Sequence, residues 1–194
     1  TVPANHIVAS TGTLANPDEV LTQQEQERLA GAATSDRPVM IVNREEADSR
    51  CADNTDKTRT WRFKADNVRD FAWASSPDFA WDAMGVEIPG YDERSMAMSY
   101  WPREGDGLWD TYSTHAVAHG LEQYSKHVFP YPWPVAISVN GPIGGGMEYP
   151  MITFNGPRPE KDGTYSQRTK YGLISVIIHE VGHFWFPMII NSDE

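Results

Sequence analysis

Cysteine is nearly absent from this chain, because Cys51 is the only one in 194 residues. No internal disulfide can therefore form, and a lone thiol does not identify the cellular compartment. Basic residues are also scarce, since 16 Lys and Arg face 27 Asp and Glu and leave a formal net charge of -11. This acidic balance argues against a nucleic-acid partner or an anionic membrane surface.

The sequence also has no apolar run long enough to predict a transmembrane segment, and no signal peptide is recognisable. The chain opens without Met and closes soon after its most informative segment. We therefore expect a middle piece of a longer protein, whose localisation the sequence leaves unknown. With 40% hydrophobic residues and seven Trp, the chain has enough apolar material for one large domain or two small ones.

The first 76 residues are dominated by strand patterns. Trp61 and Phe63 alternate with charged residues, which is typical of a half-buried strand over 60–64. Further strands are predicted over residues 6–10, 39–42 and 70–74. A helix is predicted from Pro17 to about Ala30, and the polar stretch 43–57 is predicted to be a surface loop.

Longer helices enter after Ser75, so we predict a domain boundary near residue 77. The two parts would be residues 1–76, which are rich in β structure, and residues 77–194. The second part is predicted to hold an amphipathic helix over 110–127 and strands over 96–101, 135–139 and 151–154. This mixture predicts the α+β fold class.

The segment 171–187 carries the strongest chemical signal. It contains His179, Glu180 and His183 in the order HExxH. On a helix, the two imidazoles lie four residues apart on one face and can reach one zinc ion, and Glu180 can take a proton from a water on that ion. The apolar flanks predict a buried helix that ends near Pro187.

Other readings of histidines in this chain are weaker. HExxH is short and occurs by chance in unrelated proteins. A Glu and two His inside an otherwise apolar helix are costly to bury without a partner, however, and a metal ion supplies one. His115 and His119 also have ligand spacing, but they lie opposite the apolar stripe of their helix and no Glu follows the first. We interpret them as solvent-facing.

A second motif precedes the HExxH segment by about thirty residues. Three glycines over 144–146 are followed by Met147, Glu148 and Tyr149, and then by a predicted strand. Glycine lets another backbone approach closely, and an extended edge can pair with a peptide as an added strand. Glu148 could then hold a positively charged amino terminus. The alternative is an ordinary glycine turn with Glu148 on the surface.

Together the two motifs resemble those of the zinc aminopeptidases typified by aminopeptidase N, which are gluzincins. The signatures of that family are GxMEN and HExxH-x18-E, and the segments that begin at Trp61 and Asp70 resemble the junction before its catalytic domain. The resemblance implies the end of a β-rich N-terminal domain followed by the first half of a thermolysin-like domain, with a mixed sheet packed on helices.

The resemblance also implies roles for individual residues. His179 and His183 would be ligands of a Zn2+ ion, with Glu180 as general base. Glu148 would bind the free α-amino group of a peptide substrate. Gly145 and Gly146 would line the peptide backbone, with Met147 in the same substrate-binding motif.

This sequence departs from the family pattern in two ways. Tyr149 stands where the family usually has Asn. The third zinc ligand of the family, a Glu separated from the second His by eighteen intervening residues, would lie past Glu194, as would the family's transition-state Tyr. Asp193 and Glu194 follow the second His too closely to replace that ligand.

Three alternatives stay open at this stage. The chain by itself could be an inactive structural or interaction piece without a complete zinc site, and apolar surface over 184–188 could drive its self-association. An endopeptidase of the metzincin type is disfavoured, because Phe186 and Ile189 stand where a Gly and a third His are needed. Epoxide opening, which some relatives of the family catalyse, is compatible with the same motifs.

Overall fold

A computed structural model describes residues 1–191, which combine helices with a mixed β-sheet. The strands are β1 (Val2–Pro3), β2 (Ile7–Ser10), β3 (Thr13–Leu14), β4 (Val39–Val42), β5 (Thr58–Arg59), β6 (Phe63–Lys64), β7 (Trp73–Ser76), β8 (Ala80–Val86), β9 (Ser95–Trp101), β10 (Val135–Asn140), β11 (Gly146–Tyr149) and β12 (Ile152–Asn155). The α-helices are α1 (Pro17–Val20), α2 (Gln23–Ala32), α3 (Arg44–Ala52), α4 (Trp109–His127) and α5 (Gln167–Gly182).

The central sheet has six strands in the order β11-β12-β10-β9-β8-β4. Strands β9, β10 and β12 run parallel to one another, whereas β11, β8 and β4 pair antiparallel with their neighbours. The long helix α4 is the crossover between the parallel strands β9 and β10, and such a connection requires a segment of this length. Strand β11 forms one edge of the sheet.

Helices cover both faces of this sheet. Helix α4 contacts β8, β9 and β10, α5 contacts β11 and β12, and α2 contacts β4 and β8. Asp82 of β8 faces α4, because its carboxyl accepts a hydrogen bond from the Thr114 hydroxyl at 2.5 Å. Side chains alternate along a strand, so the neighbouring Trp81 faces the opposite side, where its ring stacks on Tyr100 at a centroid distance of 5.0 Å.

Helices α4 and α5 pack closely through glycine. A Cβ atom on Gly120 would lie 2.9 Å from the Val181 Cγ1 atom, and one on Gly182 would lie 2.6 Å from the Tyr124 hydroxyl oxygen. The two helix backbones can approach this closely because glycine has no side chain. The packing fixes the position of α5, the helix that carries the HExxH segment.

The elements predicted with the clearest periodicity are confirmed. Strand β4 has the predicted bounds, strands β9 and β10 differ by one residue, and α4 begins one residue early. The short N-terminal strands are shifted: the one predicted over 70–74 is Trp73–Ser76, and residues 60–64 keep only Phe63–Lys64. Strand β8, buried along its whole length, was not predicted.

Two predictions in the N-terminal part are wrong. The single helix from Pro17 to Ala30 is two helices, because Thr22 has extended backbone angles and begins α2 with a capping box. The predicted loop over 43–57 contains the helix α3, in which Asn43 and Glu46 form a second capping box. Each capping box satisfies backbone N–H groups at the start of its helix and so stabilises a helix start that the polarity of the sequence alone does not predict.

The predicted division near residue 77 stays a prediction. Strand β4, from the part before that position, pairs with β8, from the part after it. Within residues 1–191, no helix is both long and apolar enough to cross a membrane.

Candidate metal centre

Helix α5 carries the predicted ligands at its C-terminal end. It begins after Ser166, whose hydroxyl accepts a hydrogen bond from the Thr169 backbone N–H, and it ends at Gly182. The prediction that it continues to Pro187 is wrong: His183 is the C-cap, and the chain continues in turns through residue 189. Leaving the helix here directs the Phe184 and Trp185 side chains into the core, where neither has exposed surface.

One face of α5 is open to solvent, so the helix is less buried than its composition predicts. Leu173, Ile177 and Val181 are fully buried on the packed face. Tyr171, Ser175 and His179, each four residues apart, are exposed on another face. The imidazole of His179 is therefore accessible from outside the protein.

The two histidines converge as the HExxH spacing predicts. The Nε2 atoms of His179 and His183 lie 3.1 Å apart, and their rings are nearly perpendicular. The Nδ1 atom of His183 lies 2.7 Å from the carbonyl oxygen of Phe186. A carbonyl can only accept, so Nδ1 carries the proton and the Nε2 lone pair is free to bind a cation.

Glu180 lies beside the histidines in a buried position. The residue is 4% exposed, and its Oε2 atom has no hydrogen-bond partner. A Cβ atom on Gly146 would lie 2.3 Å from Glu180 Oε1, so the carboxyl lies directly against the backbone of β11. Burial raises the pKa of Glu180, the nearby Glu148 carboxylate raises it further, and the two histidines partly offset both effects.

Strand β11 brings Glu148 to the same place. Ligand atoms of Glu148, Glu180 and His183 all lie within 4.8 Å of one another. Gly146 and Glu148 share the face of β11 that looks towards α5, because alternate residues of a strand point the same way. Met147 lies on the opposite face and is 44% exposed, so its side chain does not reach the carboxylates.

Gly145 and Tyr149, at the two ends of the motif that contains Glu148, have different surroundings. Gly145 has a φ of +87°, which places it in the region that favours glycine, immediately before the strand. Tyr149, which stands in place of the family's Asn, lies on the face away from Glu148. Its ring contacts that of Phe154 edge-on at a centroid distance of 6.1 Å. The structure therefore gives Tyr149 a packing contact on the strand.

The donor set fits a zinc ion. Imidazole nitrogen and carboxylate oxygen are ligands that zinc takes, and at bond lengths of about 2.0–2.1 Å two tetrahedral ligand atoms lie about 3.3 Å apart. The measured Nε2 separation is close to this value. The hydrogen bond from His183 Nδ1–H to a carbonyl is the kind of outer contact that orients metal-binding histidines.

Other candidate residues lie elsewhere. His115 and His119 are exposed on α4, as their sequence context predicts. The apolar surface predicted over 184–188 is smaller than expected, because Phe184 and Trp185 are buried and Phe186 is half exposed. Self-association stays a prediction. Asp193 and Glu194 lie outside the described residues.

Sequence reasoning missed two contributors to this site. The Phe186 carbonyl oxygen holds His183, and a backbone acceptor leaves no signal in residue type. The contact between Gly146 and Glu180 was also missed, although the glycines before Glu148 indicated that some group approaches the backbone closely.

Comparison with known proteins supports the fold. No protein-family profile matches the chain, and no curated protein matches it in sequence. The chain has an M1 zinc peptidase-like fold, because solved structures of that class superpose on nearly all of it. The M1 zinc metallopeptidase from Deinococcus radiodurans gives a TM-score of 0.56 at 14% identity, covering 98% of this chain and 33% of that one.

A variant of a two-domain M1 zinc metallopeptidase, bound to L-tryptophan, gives a TM-score of 0.54 at 13% identity, again over 98% of this chain and 33% of that one. The chain thus spans about a third of the length of these structures. At such identities the likeness shows the fold alone.

Proposed function

We propose that this chain contributes the metal-binding and amine-binding parts of a zinc-dependent aminopeptidase of the gluzincin type. The observation that carries the proposal is the convergence of His179 and His183, 3.1 Å apart at Nε2, with the carboxylates of Glu148 and Glu180 beside His183. A single histidine or a single carboxylate at this position of the fold would not support the proposal.

The residues would divide the chemistry as follows. His179 and His183 would hold the zinc ion, which when bound supplies a Lewis acid and lowers the pKa of water. Glu180 is the general base, because its buried carboxyl with a free oxygen favours proton uptake. It takes a proton from the attacking water and passes it to the leaving amine.

Glu148 is the residue that makes the activity an aminopeptidase activity. Its carboxylate is half-buried beside Glu180, where a substrate ammonium group would offset part of the negative charge of the two carboxylates. An internal peptide bond offers no cation at that point. The free edge of β11, which includes Gly146, would pair with the substrate backbone as an added strand, with Gly145 at its start.

The test compares two matched substrates on the longer protein that carries this chain. An aminoacyl chromogenic amide has a free α-amine, and its N-acetylated form differs only in lacking that charge. We expect cleavage of the first and at least about a hundredfold lower kcat/KM for the second, since the charge-assisted contact to Glu148 is lost. Equal rates on the two substrates would refute the role of Glu148.

A further inference from the structure

The turn that follows α5 determines which nitrogen of His183 carries the proton. Nδ1–H of His183 donates to the Phe186 carbonyl oxygen, with 2.7 Å between the two heavy atoms. Carboxylate oxygens of Glu148 and Glu180 also lie within 4.8 Å of a nitrogen of this ring, so they compete as acceptors for the same proton. A proton on Nε2 instead would block the lone pair that faces His179.

The residue before Phe186 is fixed by the core. Trp185 has no exposed surface, and its Nε1–H donates to the Phe129 carbonyl oxygen at 2.8 Å. Its ring lies against those of Tyr124 and Tyr131, at centroid distances of 5.3 and 5.2 Å. The backbone on this side of the Phe186 carbonyl therefore cannot shift without disturbing packed aromatic rings.

The residue after Phe186 is held by a side chain from the N-terminal part of the chain. The Arg69 guanidinium donates to the Pro187 carbonyl oxygen at 3.1 Å and also contacts the side-chain oxygen of Asn191. Arg69 lies 118 positions before Pro187 in the sequence and is exposed. The peptide group that orients His183 is thus held on both sides, by a buried contact and by a surface contact.

We propose that Trp185 and Arg69 are positioning residues of the metal centre. They hold the Phe186 carbonyl where it keeps the His183 proton on Nδ1, and so keep Nε2 free for a metal ion. The link to zinc rests on the proposed function. The inference adds two residues that touch neither metal nor substrate, and it gives the residues before position 77 a contact that acts on the site.

The test of Trp185 uses nitrogen-15 NMR of the histidine rings in the metal-free 194-residue chain, at about pH 9, where an imidazole is uncharged. Trp185→Phe removes the N–H and keeps an aromatic ring. Trp109→Phe is the matched control, because Trp109 is also fully buried and its Nε1–H donates to the Pro157 carbonyl oxygen at 2.9 Å. We expect the ratio of Nδ1–H to Nε2–H forms of His183 to fall at least about fivefold in Trp185→Phe and to stay unchanged in Trp109→Phe.

The test of Arg69 uses surface substitutions, which keep the proposal testable if circular dichroism shows that Trp185→Phe does not fold. Arg69→Met removes the donor, Arg69→Lys retains one, and Arg62→Met is the control, because Arg62 is exposed and pairs with Glu19 instead. We expect the same ratio to fall about twofold in Arg69→Met, to recover in Arg69→Lys and to stay unchanged in Arg62→Met.

Zinc affinity of the same proteins, measured by competition with a chromophoric chelator, should follow the ring proton and fall about tenfold in Trp185→Phe. If neither Trp185→Phe nor Arg69→Met changes the ratio of the two ring forms, the inference is overturned whatever the zinc affinity. A changed ratio with unchanged zinc affinity overturns it as well. If the ratio responds as expected but the unsubstituted chain binds no zinc, the proposed metal centre fails and the inference falls with it.

Discussion

Glu180 is the residue that transfers protons in the proposed reaction. Replacing it by Gln keeps the side-chain shape against Gly146 but removes the base. We expect kcat to fall by about 10²–10⁴-fold in the aminopeptidase assay, while zinc affinity and the circular dichroism spectrum stay unchanged. Retention of more than about a tenth of the activity would show that another group takes the proton.

Asp82 is a second buried carboxyl, and it acts on stability. Burial raises its pKa to about 7, with a smaller contribution from Asp110, and the Thr114 hydrogen bond partly offsets this. Because the folded-state pKa lies above the unfolded value near 3.8, the folded protein binds the extra proton between these pH values. The stabilisation is therefore complete below about pH 4 and is lost as the pH rises through 7.

Asp82→Asn should remove this pH dependence. We expect the contribution of Asp82 to the free energy of unfolding to fall by about 2–3 kcal/mol between pH 5 and pH 8 in the unsubstituted chain, and to be absent in the variant. Urea unfolding at the two pH values measures the difference. Asp66→Asn, which changes an exposed carboxylate, is the control and should keep the pH dependence of the unsubstituted chain. If the free energy of unfolding changed between pH 5 and pH 8 by the same amount in Asp82→Asn as in the unsubstituted chain, the account would be contradicted.

At the residue level, sequence reasoning succeeded where spacing along one helix fixes geometry. His179 and His183 had to meet if α5 formed, and they do. Asp82 could not be recognised in this way, because its environment is created by Thr114, 32 residues later in the chain. The acceptor for His183, a backbone carbonyl, likewise depends on how the chain turns after the helix ends.

At the level of elements, the close packing of α4 on α5 positions the site. In Gly120→Ala, the new Cβ would lie 2.9 Å from Val181 Cγ1, so we expect a loss of about 1–2 kcal/mol in spite of the better helix propensity of alanine. Val181→Ala should cost less in the Gly120→Ala background than alone, because it relieves the clash. Chemical denaturation of the four proteins in this cycle measures the coupling.

Gly172 on α5 provides the matched control. No atom lies within 4 Å of a Cβ placed there, so Gly172→Ala should stabilise the chain by up to about 1 kcal/mol through helix propensity alone. If Gly120→Ala and Gly172→Ala changed the free energy of unfolding equally, the absence of a side chain at Gly120 would not be what allows the two helices to approach closely.

Elements with a clear apolar period were predictable, and elements defined by local hydrogen bonds were less so. Helix α4 shows an amphipathic stripe and was found within one residue. Helix α3 was missed because it is polar nearly throughout, with Ala47 its only buried residue. Its start depends on the Asn43 and Glu46 capping box, which a reading of hydrophobicity does not weigh.

For the whole molecule, the fold was predicted more securely than its division into parts. The resemblance to zinc aminopeptidases implied a mixed sheet packed on helices, and the observed content of helices and strands is consistent with the predicted α+β class. The pairing of β4 with β8 joins residues on either side of position 77, and no local pattern in either strand specifies its partner. Long-range strand pairing therefore limits what a single sequence predicts.

The account rests on a zinc ion held by His179 of α5 and by its C-cap residue His183, and X-ray absorption spectroscopy at the zinc edge tests this most directly. On the zinc-loaded 194-residue chain we expect a first shell at about 2.0–2.1 Å and the outer-shell scattering of two imidazole rings. Loss of one imidazole contribution in His183→Ala should follow. A shell of oxygen atoms alone, unchanged by that substitution, would contradict the central claim.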